Sequence, residues 1–187
     1  MTLTSDLQPF IERLLTDSSL AGSVRASIDL PAEQARFADL DPPLAAPIAD
    51  ALAERGVNRL WTHQVEAISA LRRGDDVLVT TPTASGKSLI YQVPVLEEAA
   101  RGGASRALFL FPLKALGNDQ RTKLADLAAA SGLGEEASLA IYDGDTPPYQ
   151  RQRIKRKPPR VLISNPDMLH LGILPYWHSW APFLGEL

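Results

Sequence analysis

One short segment determines the class of fold: Val77-Leu78-Val79-Thr80-Thr81-Pro82-Thr83-Ala84-Ser85-Gly86-Lys87-Ser88. Its first four residues are apolar or β-branched and predict a buried strand. The run that follows Gly86, up to about Arg101, is mostly apolar and predicts a helix. Pro94 lies inside this run and is expected to bend the helix rather than end it. The segment therefore predicts a strand, a tight loop and a helix in immediate succession.

The loop between this strand and this helix resembles the phosphate-binding pattern G-x-x-x-x-G-K-[ST]. In such loops backbone N–H groups and the helix N-terminus bind phosphate oxygens, the lysine pairs with the β- and γ-phosphates, and the hydroxyl reaches Mg²⁺. We therefore predict ATP and Mg²⁺ as ligands, with Lys87 and Ser88 as catalytic residues and Ser88 as the ligand of Mg²⁺. The predicted nucleotide-binding residues of the loop are Thr81, Pro82, Thr83, Ala84, Ser85, Gly86, Lys87 and Ser88.

Two features limit the specificity of this pattern. Thr81 stands where the first glycine is usual, and a Gly-Lys-Ser at the start of a helix can arise by chance. The strand predicted directly before the loop favours the phosphate-binding interpretation, because the binding mechanism needs a loop between a strand and a helix.

Strands and helices alternate through the rest of the chain. Beyond the first helix, apolar strands are predicted at 107–111, 139–142 and 161–164, with helices at 115–130 and between the last two strands. Upstream, helices are predicted at 7–15, 44–55 and 63–73, the last with Thr62 as its N-cap. Short connections between alternating strands and helices are typical of a parallel sheet covered on both faces. The prediction is an α/β domain over 57–187, preceded by a helical extension over 1–56.

Composition excludes several classes of protein. The chain has 187 residues, no cysteine and three scattered histidines, which leaves no disulfide framework and no cluster at metal-ligand spacing. Its net charge of −3 restricts any nucleic-acid surface to a local patch. No signal peptide is visible, and no stretch approaches the ~18 apolar residues of a membrane span. We expect a cytoplasmic protein without a membrane association.

Four segments follow one another in the order of the motifs of superfamily-two helicases. Residues 81–88 resemble motif I, and Trp61-Thr62-His63-Gln64 resembles the Q motif, whose glutamine recognises adenine. Phe111-Pro112-Leu113-Lys114-Ala115-Leu116 resembles motif Ia, and Ser164-Asn165-Pro166-Asp167-Met168-Leu169 resembles motif Ib. The resemblance implies a RecA-like P-loop NTPase sheet and a role for Gln64 in reading adenine. Trp61 is expected either to stack on adenine or to fill the junction between helices.

The residues of two further segments indicate one branch of this helicase superfamily. Tyr142-Asp143-Gly144-Asp145-Thr146-Pro147 and residues 165–175 are similar to the YprA/MrfA-type DNA helicases, bacterial relatives of the Hrq-type repair helicases. This branch implies ATP-dependent 3′-to-5′ translocation on single-stranded DNA and a role in DNA repair. The residues that the resemblance places along the DNA are Pro112, Lys114, Gly144, Ser164 and Asn165.

Two parts of such a helicase are expected beyond Leu187. They are the strand with the D-E-A-H box, whose acids hold Mg²⁺ and activate water, and the second RecA-like domain with its arginine finger. We therefore interpret the chain as the first part of a helicase, with an incomplete first domain that binds nucleotide weakly and hydrolyses it negligibly. The missing strand is also expected to leave an open sheet edge that promotes self-association.

Two other functions stay open at this point. Leu139-Ala140-Ile141-Tyr142-Asp143 is an apolar strand that ends in a carboxylate and could itself be a Walker B strand, which would complete a small P-loop kinase or NTPase. A catalytically silent nucleotide-binding module is the second alternative. Transfer of phosphate to a small molecule by these residues alone would favour the kinase.

Two clusters near the C-terminus admit a structural and a functional interpretation. Six basic residues between positions 151 and 160 form either a solvated helix face or a phosphate contact: Arg151, Arg153, Lys155, Arg156, Lys157 and Arg160. The aromatic residues Tyr176, Trp177 and Trp180 could stack on bases, but packing under the sheet, or against the part of the helicase expected beyond Leu187, is the favoured interpretation. Asn165, followed by Pro166, is predicted to cap a helix as well as to face phosphate.

Overall fold

The structure, a computed structural model, describes residues 4–19, 21–24, 26, 28, 34–82 and 85–187. Thr83 and Ala84 of the predicted phosphate loop lie outside the described residues. The chain divides into two compact units, Met1–Ala35 and Arg36–Leu187. The second predicted helix, which the sequence analysis assigned to the extension before residue 57, packs in the same core as the sheet.

The first unit contains helix α1 (Thr4–Thr16) and a 3-10 turn (Ala21–Ser23). Helix α1 confirms the helix predicted at 7–15. Its apolar side chains stay accessible, and Leu7 and Phe10 are each 57% exposed.

The second unit contains, in chain order, the following elements: β1 (Phe37–Ala38), α2 (Ala46–Glu54), β2 (Leu60–Trp61), α3 (Thr62–Arg72), α4 (Ser88–Ala100), β3 (Ala107–Leu110), α5 (Lys114–Ala130), β4 (Leu139–Ile141), α6 (Pro148–Arg156), β5 (Val161–Ser164), α7 (Pro166–Met168), a π-helical turn (Leu169–Ile173), a 3-10 turn (Leu174–Tyr176) and α8 (Trp177–Leu184). Helices α2, α3, α4 and α5 confirm the predicted helices. Thr62 begins α3 rather than capping it, and Trp61 is the N-cap. No helix in this described set is long and apolar enough to cross a membrane.

A parallel sheet of three strands, in the order β3-β5-β4, forms the centre of the second unit. All four residues of β5 are buried. Leu162 faces one side, where it packs in a cluster with Trp180 and Phe183. Val161 and Ile163 face the other side, in a cluster contributed by α2, α4 and α5. Both faces of the sheet are therefore covered, as the alternation of strands and helices predicted.

The strand predicted at 77–80 is not formed. These residues belong to no β-ladder, and Leu78 is 89% exposed. A strand needs a neighbour to receive its backbone hydrogen bonds, and no neighbour for this segment exists within the described ranges.

Strand β3 also lacks a neighbour on one side. The N–H groups of Ala107 and Phe111 donate to the carbonyls of Arg160, just before β5, and of Ser164 in β5, so the backbone groups of Leu108 and Leu110 point the opposite way. Neither outward N–H group has a partner in the described part of the chain. Just before β3, the outward N–H of Arg106 donates to the Glu186 carbonyl at 2.6 Å. The sheet therefore has an unpaired edge along β3.

Candidate nucleotide and nucleic-acid sites

The predicted phosphate loop opens helix α4. Gly86 adopts φ +74°, a left-handed conformation in which a Cβ is strained, and Ser88 is the first helical residue. The Leu89 and Ile90 N–H groups close the first turn on the carbonyls of Gly86 and Lys87. The loop-to-helix part of the predicted arrangement is thus formed, whereas the strand before it is not.

The first turn of α3 holds this loop in place. Gln64 is 1% exposed; its Nε2 donates to the Gly86 carbonyl at 2.9 Å, and its Oε1 accepts from the Trp61 N–H at 2.9 Å. His63 Nε2 lies 3.0 Å from the Ser85 carbonyl oxygen. A Cβ at Gly86 would lie 2.5 Å from Gln64 Nε2, so glycine permits this close approach. The segment that resembles the Q motif and the phosphate loop therefore form one structural unit.

His63 was not among the predicted site residues, because the three histidines were considered only as a metal-ligand cluster. The available signal was its position beside Gln64 in a segment that already resembled a motif. A single histidine carries no spacing pattern, so its partner 22 positions away could not be predicted locally.

Lys87 places its ammonium group among oxygen atoms of its own loop. Nζ donates to the carbonyls of Thr81 and Pro82, each at 2.6 Å. The Thr81 and Ser85 hydroxyls lie 2.6 Å apart beside it. No carboxylate pairs with Lys87 among the residues that the structure describes. An anion that binds here would therefore compete with neutral carbonyl and hydroxyl oxygens and not with a fixed negative charge.

The backbone donors at this turn fit an anionic ligand. The N–H groups of Gly86, Lys87 and Ser88 make no hydrogen bond to any described residue. They precede the second turn of a 13-residue helix, whose N-terminus carries positive potential. The ammonium and these donors are the chemical groups that bind phosphate oxygens in loops of this kind. The residues present fit a nucleotide triphosphate.

Ser88 is the one predicted ligand of Mg²⁺, and its side chain lies near the Tyr91 phenol. Burial raises the pKa of the Tyr91 phenol, and the nearby Ser88 side chain opposes that rise. The Tyr91 hydroxyl donates to Gln120 Oε1 at 2.7 Å. The described residues contain no cluster of three or more His, Asp or Glu side chains able to hold a metal ion. Ser88 can therefore contribute one oxygen ligand, and the described residues supply no carboxylate cluster for the others.

Trp61 lies at the N-terminus of α3, directly before the turn that holds the loop. Its ring centroid is 4.8 Å from that of Phe37, and 40% of the residue remains exposed. The Arg59 guanidinium lies 5.3 Å from the Phe37 centroid on the same small antiparallel pair, β1 with β2. The packing on Phe37 leaves part of Trp61 free for a flat ligand, so both interpretations of Trp61 are compatible with its position.

The segments that resemble motifs Ia and Ib converge where the three strands end. A shallow cleft there is lined by residues of both motifs and of the turn after β4, namely Phe111, Leu113, Lys114, Asp143, Ser164 and Asn165. The carboxyl edge of a parallel sheet is the usual place for ligands in α/β folds. The structure thus brings the predicted DNA-facing segments together at one edge.

Each of these residues has a defined local role. Lys114 Nζ lies 2.7 Å from Asp145 Oδ2, and this hydrogen bond raises the pKa of Lys114. The Ser164 hydroxyl is buried and donates to the Tyr142 carbonyl at 2.6 Å. Asn165 caps α7 through the Met168 N–H at 2.8 Å, as predicted.

Pro112 is exposed, and a Cβ at Gly144 would lie 3.6 Å from Lys114 Nζ. Asp145, the partner of Lys114, was missed because no local pattern pairs the two.

Two of the six clustered basic residues are held by backbone carbonyls. Arg160 donates to the carbonyls of Glu136, Ser105 and Gly103 at 2.7–2.8 Å. Arg151 donates to the carbonyls of Thr146, Asp143 and Gly144. These two arginines therefore stabilise loops and are not part of a solvated helix face, and Arg153, Lys155, Arg156 and Lys157 remain as candidates for binding phosphate.

The Walker B alternative conflicts with the position of Asp143. Its carboxylate accepts hydrogen bonds from the Asp145 N–H and the Thr146 hydroxyl, both within its own turn. Strand β4 lies at the edge of the sheet, with β5 between it and β3. An acidic residue that shares a metal ion with Ser88 would have to lie close to the phosphate loop. Asp143 instead stabilises the turn that carries Gly144.

Comparisons with known proteins agree with this arrangement. Residues 61–183 match the DEAD/DEAH box helicase family. The chain is 42% identical over 140 residues to the uncharacterized ATP-dependent helicase YprA of Bacillus subtilis, covering 75% of this chain and 18% of that protein. It is 34% identical over 189 residues to the ATP-dependent helicase hrq1 of Schizosaccharomyces pombe, covering 100% of this chain and 18% of that protein.

Solved structures give the same picture. The DUF1998 helicase MrfA bound to DNA and AMPPNP has a TM-score of 0.78 and 37% identity, over 84% of this chain and 22% of MrfA. The helicase Lhr of Mycobacterium smegmatis, bound to ssDNA and AMP-PNP, has a TM-score of 0.62 and 28% identity, over 71% of this chain and 18% of Lhr. The chain thus spans about a fifth of the length of these relatives. Its fold, its motif order and these matches show that the chain belongs to the DEAD/DEAH box helicase family.

Proposed function

We propose that this chain is the ATP-binding front part of an ATP-dependent helicase that moves 3′-to-5′ on single-stranded DNA and serves DNA repair in the cytoplasm. The observation that carries the proposal is the pair of contacts from α3 to the phosphate loop, Gln64 to Gly86 and His63 to Ser85. This junction can couple a side chain that reads adenine to the groups that bind phosphate. The relatives named as bound to DNA and to a nucleotide analogue support both ligands.

The residues have distinct tasks in this proposal. Gln64 reads adenine beside Trp61, and the Ser88 hydroxyl binds Mg²⁺. Lys87 neutralises phosphate charge together with backbone N–H donors that include those of Gly86 and Ser88. Bound ATP and Mg²⁺ supply the phosphoryl group and its charge neutralisation. The DNA backbone is contacted by residues at the carboxyl edge of the sheet: Pro112, Lys114, Gly144, Ser164 and Asn165.

The 187 residues contain no Asp-Glu-x-His tetrad. Hydrolysis also depends in this chemistry on an arginine finger, which is worth about 10³–10⁵ in rate. We therefore propose that these residues alone bind nucleotide without appreciable turnover, and that the rest of a helicase supplies the missing groups. A catalytically silent nucleotide-binding module would also bind ATP without turnover, but it would not bind DNA at the carboxyl edge of the sheet.

Calorimetry with ATP and Mg²⁺ tests the nucleotide site. Lys87→Ala is expected to weaken binding by about 10- to 100-fold, because a charge-assisted interaction is worth about 1.5–3 kcal/mol. The matched control is Lys123→Ala, which removes an exposed lysine paired with Asp119 on α5 and is expected to leave affinity unchanged. Equal affinity of wild type and Lys87→Ala would refute the assignment of the loop. Phosphate transfer to a small molecule would support the kinase instead.

A further inference from the structure

A second cavity lies on the face of the sheet covered by α6, apart from the phosphate loop. Its volume is about 370 Å³, and it opens between α6, the end of β4 and the π-helical turn at 169–173. Ligand pockets commonly have volumes of about 300–1,000 Å³. π-Helical turns are rare and are frequent at functional sites. Neither the cavity nor the turn has a role in the nucleotide site described above.

Glycine keeps the floor of this cavity open. A Cβ at Gly172 would lie 2.7 Å from Met168 Cε and 3.5 Å from Tyr142 Cε1. Tyr142 is buried, and its ring stacks edge-on against Trp180 at 4.7 Å between centroids. The floor is therefore a flat, apolar surface backed by the core.

The rim of the cavity carries positive charge without a compensating acid. Lys155 Nζ lies 5.7 Å from the Tyr176 ring centroid and 5.5 Å from that of Trp180, and it makes no ion pair or hydrogen bond with any residue that the structure describes. The Arg151 guanidinium lies 5.3 Å from the Tyr142 centroid. No Asp or Glu lines the cavity. An anionic ligand therefore gains attraction here without meeting a like charge.

The side wall of the cavity is aromatic and accessible. Tyr176 lines it and is 60% exposed, whereas Trp180 is fully buried. The predicted packing under the sheet is confirmed for Trp180, whereas Tyr176 and Trp177 are exposed, and packing of these two against a part of the protein beyond Leu187 stays a prediction. Gln152, which is exposed at the rim, offers an amide that can hydrogen-bond a polar ring edge. A flat aromatic ring with an attached anion combines the properties that this wall and rim would bind.

The cavity is linked to the predicted DNA-facing edge at two points. Arg151, on the rim, donates to the Gly144 carbonyl at 3.2 Å. Met168, on the floor, donates its backbone N–H to the Asn165 side chain at 2.8 Å. A strand that contacts Gly144 and Asn165 would therefore pass beside the opening.

We propose that this cavity accepts one nucleotide of single-stranded DNA, with the base against Tyr176 and the phosphate near Lys155. The inference rests on the proposed function and extends it, because it makes α6 and the π-helical turn part of the DNA path. The cavity would hold the strand at a point beyond the motif-like segments.

Binding of the full 187-residue chain to oligothymidylate carrying a 2-aminopurine reporter tests this. Tyr176→Ala is expected to weaken binding by about 5- to 100-fold, since stacking on an aromatic side chain contributes about 1–3 kcal/mol per base. Tyr176→Phe, which keeps the ring, is expected to restore binding. The control Tyr149→Ala removes a tyrosine that is 68% exposed elsewhere on α6 and is expected to have no effect. Equal losses for Tyr176→Ala and Tyr149→Ala would overturn the proposal.

Salt dependence tests the charge on the rim. Lys155→Gln is expected to reduce the slope of log affinity against log salt by about 0.7, the value for one single-strand phosphate contact. Lys123→Gln is the control and is expected to keep the slope. Free thymidine monophosphate is expected to bind far more weakly than the oligonucleotide; equal affinity per site would identify a mononucleotide pocket and overturn the proposal.

Lys114→Ala separates failure of this proposal from failure of the proposed function. If Lys114→Ala weakens DNA binding while the Tyr176 and Lys155 variants bind as wild type does, the cavity proposal is refuted and the helicase proposal stands. If the wild-type chain binds no oligonucleotide, both are refuted.

Discussion

Two segments of this chain have nearly the same sequence, but only one of them forms a strand. Val77-Leu78-Val79-Thr80 and Val161-Leu162-Ile163-Ser164 share an apolar, β-branched pattern. The second is β5, paired on both sides by β3 and β4, and its Leu162 is 0% exposed. The first belongs to no ladder, and its Leu78 is 89% exposed. The pattern specifies which residues prefer to be buried in a strand, whereas the presence of neighbours determines whether burial occurs.

The difference has an energetic size. Burial of a leucine side chain stabilises a fold by about 1.5–3 kcal/mol. Leu162 contributes this between Trp180 and Phe183, while Leu78 contributes almost nothing in the structure described. The three-stranded sheet therefore has a buried core around β5. Residues 77–80, before the phosphate loop, find no partner strand among the described residues.

Amide hydrogen exchange measures the contrast most directly. We expect the amides of β5 to exchange more than about a thousandfold more slowly than those of residues 77–80. The reason is that core amides open with free energies near the global value, at least roughly 5 kcal/mol, and unpaired amides open with none. Exchange measured by NMR at one pH and temperature gives both sets at once. Similar protection in both segments would mean that residues 77–80 have a neighbour after all.

A pair of leucine truncations tests the same contrast energetically. Leu162→Ala is expected to lower the free energy of unfolding by about 2–5 kcal/mol, because it leaves a cavity between the sheet and α8. Leu78→Ala is its matched control and is expected to change stability by less than about 0.5 kcal/mol. Urea unfolding followed by circular dichroism measures both. A large loss in Leu78→Ala would contradict its exposure.

Local pattern was sufficient for much of this molecule. The helices α2 to α5, the strands β3 to β5 and the parallel direction of the sheet follow from periodicity and turn residues, whereas the order of the motifs follows from the resemblance to helicases. Strand formation at 77–80 could not be judged locally, because ladder hydrogen bonds join residues far apart in the chain. For the same reason His63 and Asp145 were missed: each acts through a partner outside its own segment, Ser85 and Lys114 respectively.

The phosphate loop is held by α3 and not by a neighbouring strand, and a substitution at Gly86 tests this contact. Gly86→Ala is expected to lower the free energy of unfolding by about 1–3 kcal/mol, from the positive φ of Gly86 and from a Cβ that displaces Gln64. The control is Gly74→Ala, where φ is +84° and the space around the Cβ is open. Only the conformational part of the cost, about 1 kcal/mol, is expected there.

Thermal unfolding of both variants, alone and with Gln64→Ala, isolates the contact between α3 and the loop. In the Gln64→Ala background the extra cost of Gly86→Ala is expected to disappear, since the displaced amide is absent. If Gly86→Ala and Gly74→Ala cost the same in every background, α3 does not anchor the loop.

The smallest expected effect on stability concerns the exposed pair of Lys114 and Asp145 at the carboxyl edge of the three-stranded sheet. The hydrogen bond to Asp145 raises the pKa of Lys114 above its usual 10.5. A raised pKa stabilises the fold below the unfolded value near 10.5 and loses this effect as pH rises through the folded value. Asp145→Asn is therefore expected to lower the pKa of Lys114, measured from the ¹³C shift of its Cε between pH 9 and 12, with little change in stability at pH 7.

Asp119→Asn, which removes the partner of Lys123, is the control and is expected to leave the Lys114 titration unchanged. An unaltered titration in Asp145→Asn would show that Lys114 is not paired in solution and is free for phosphate throughout.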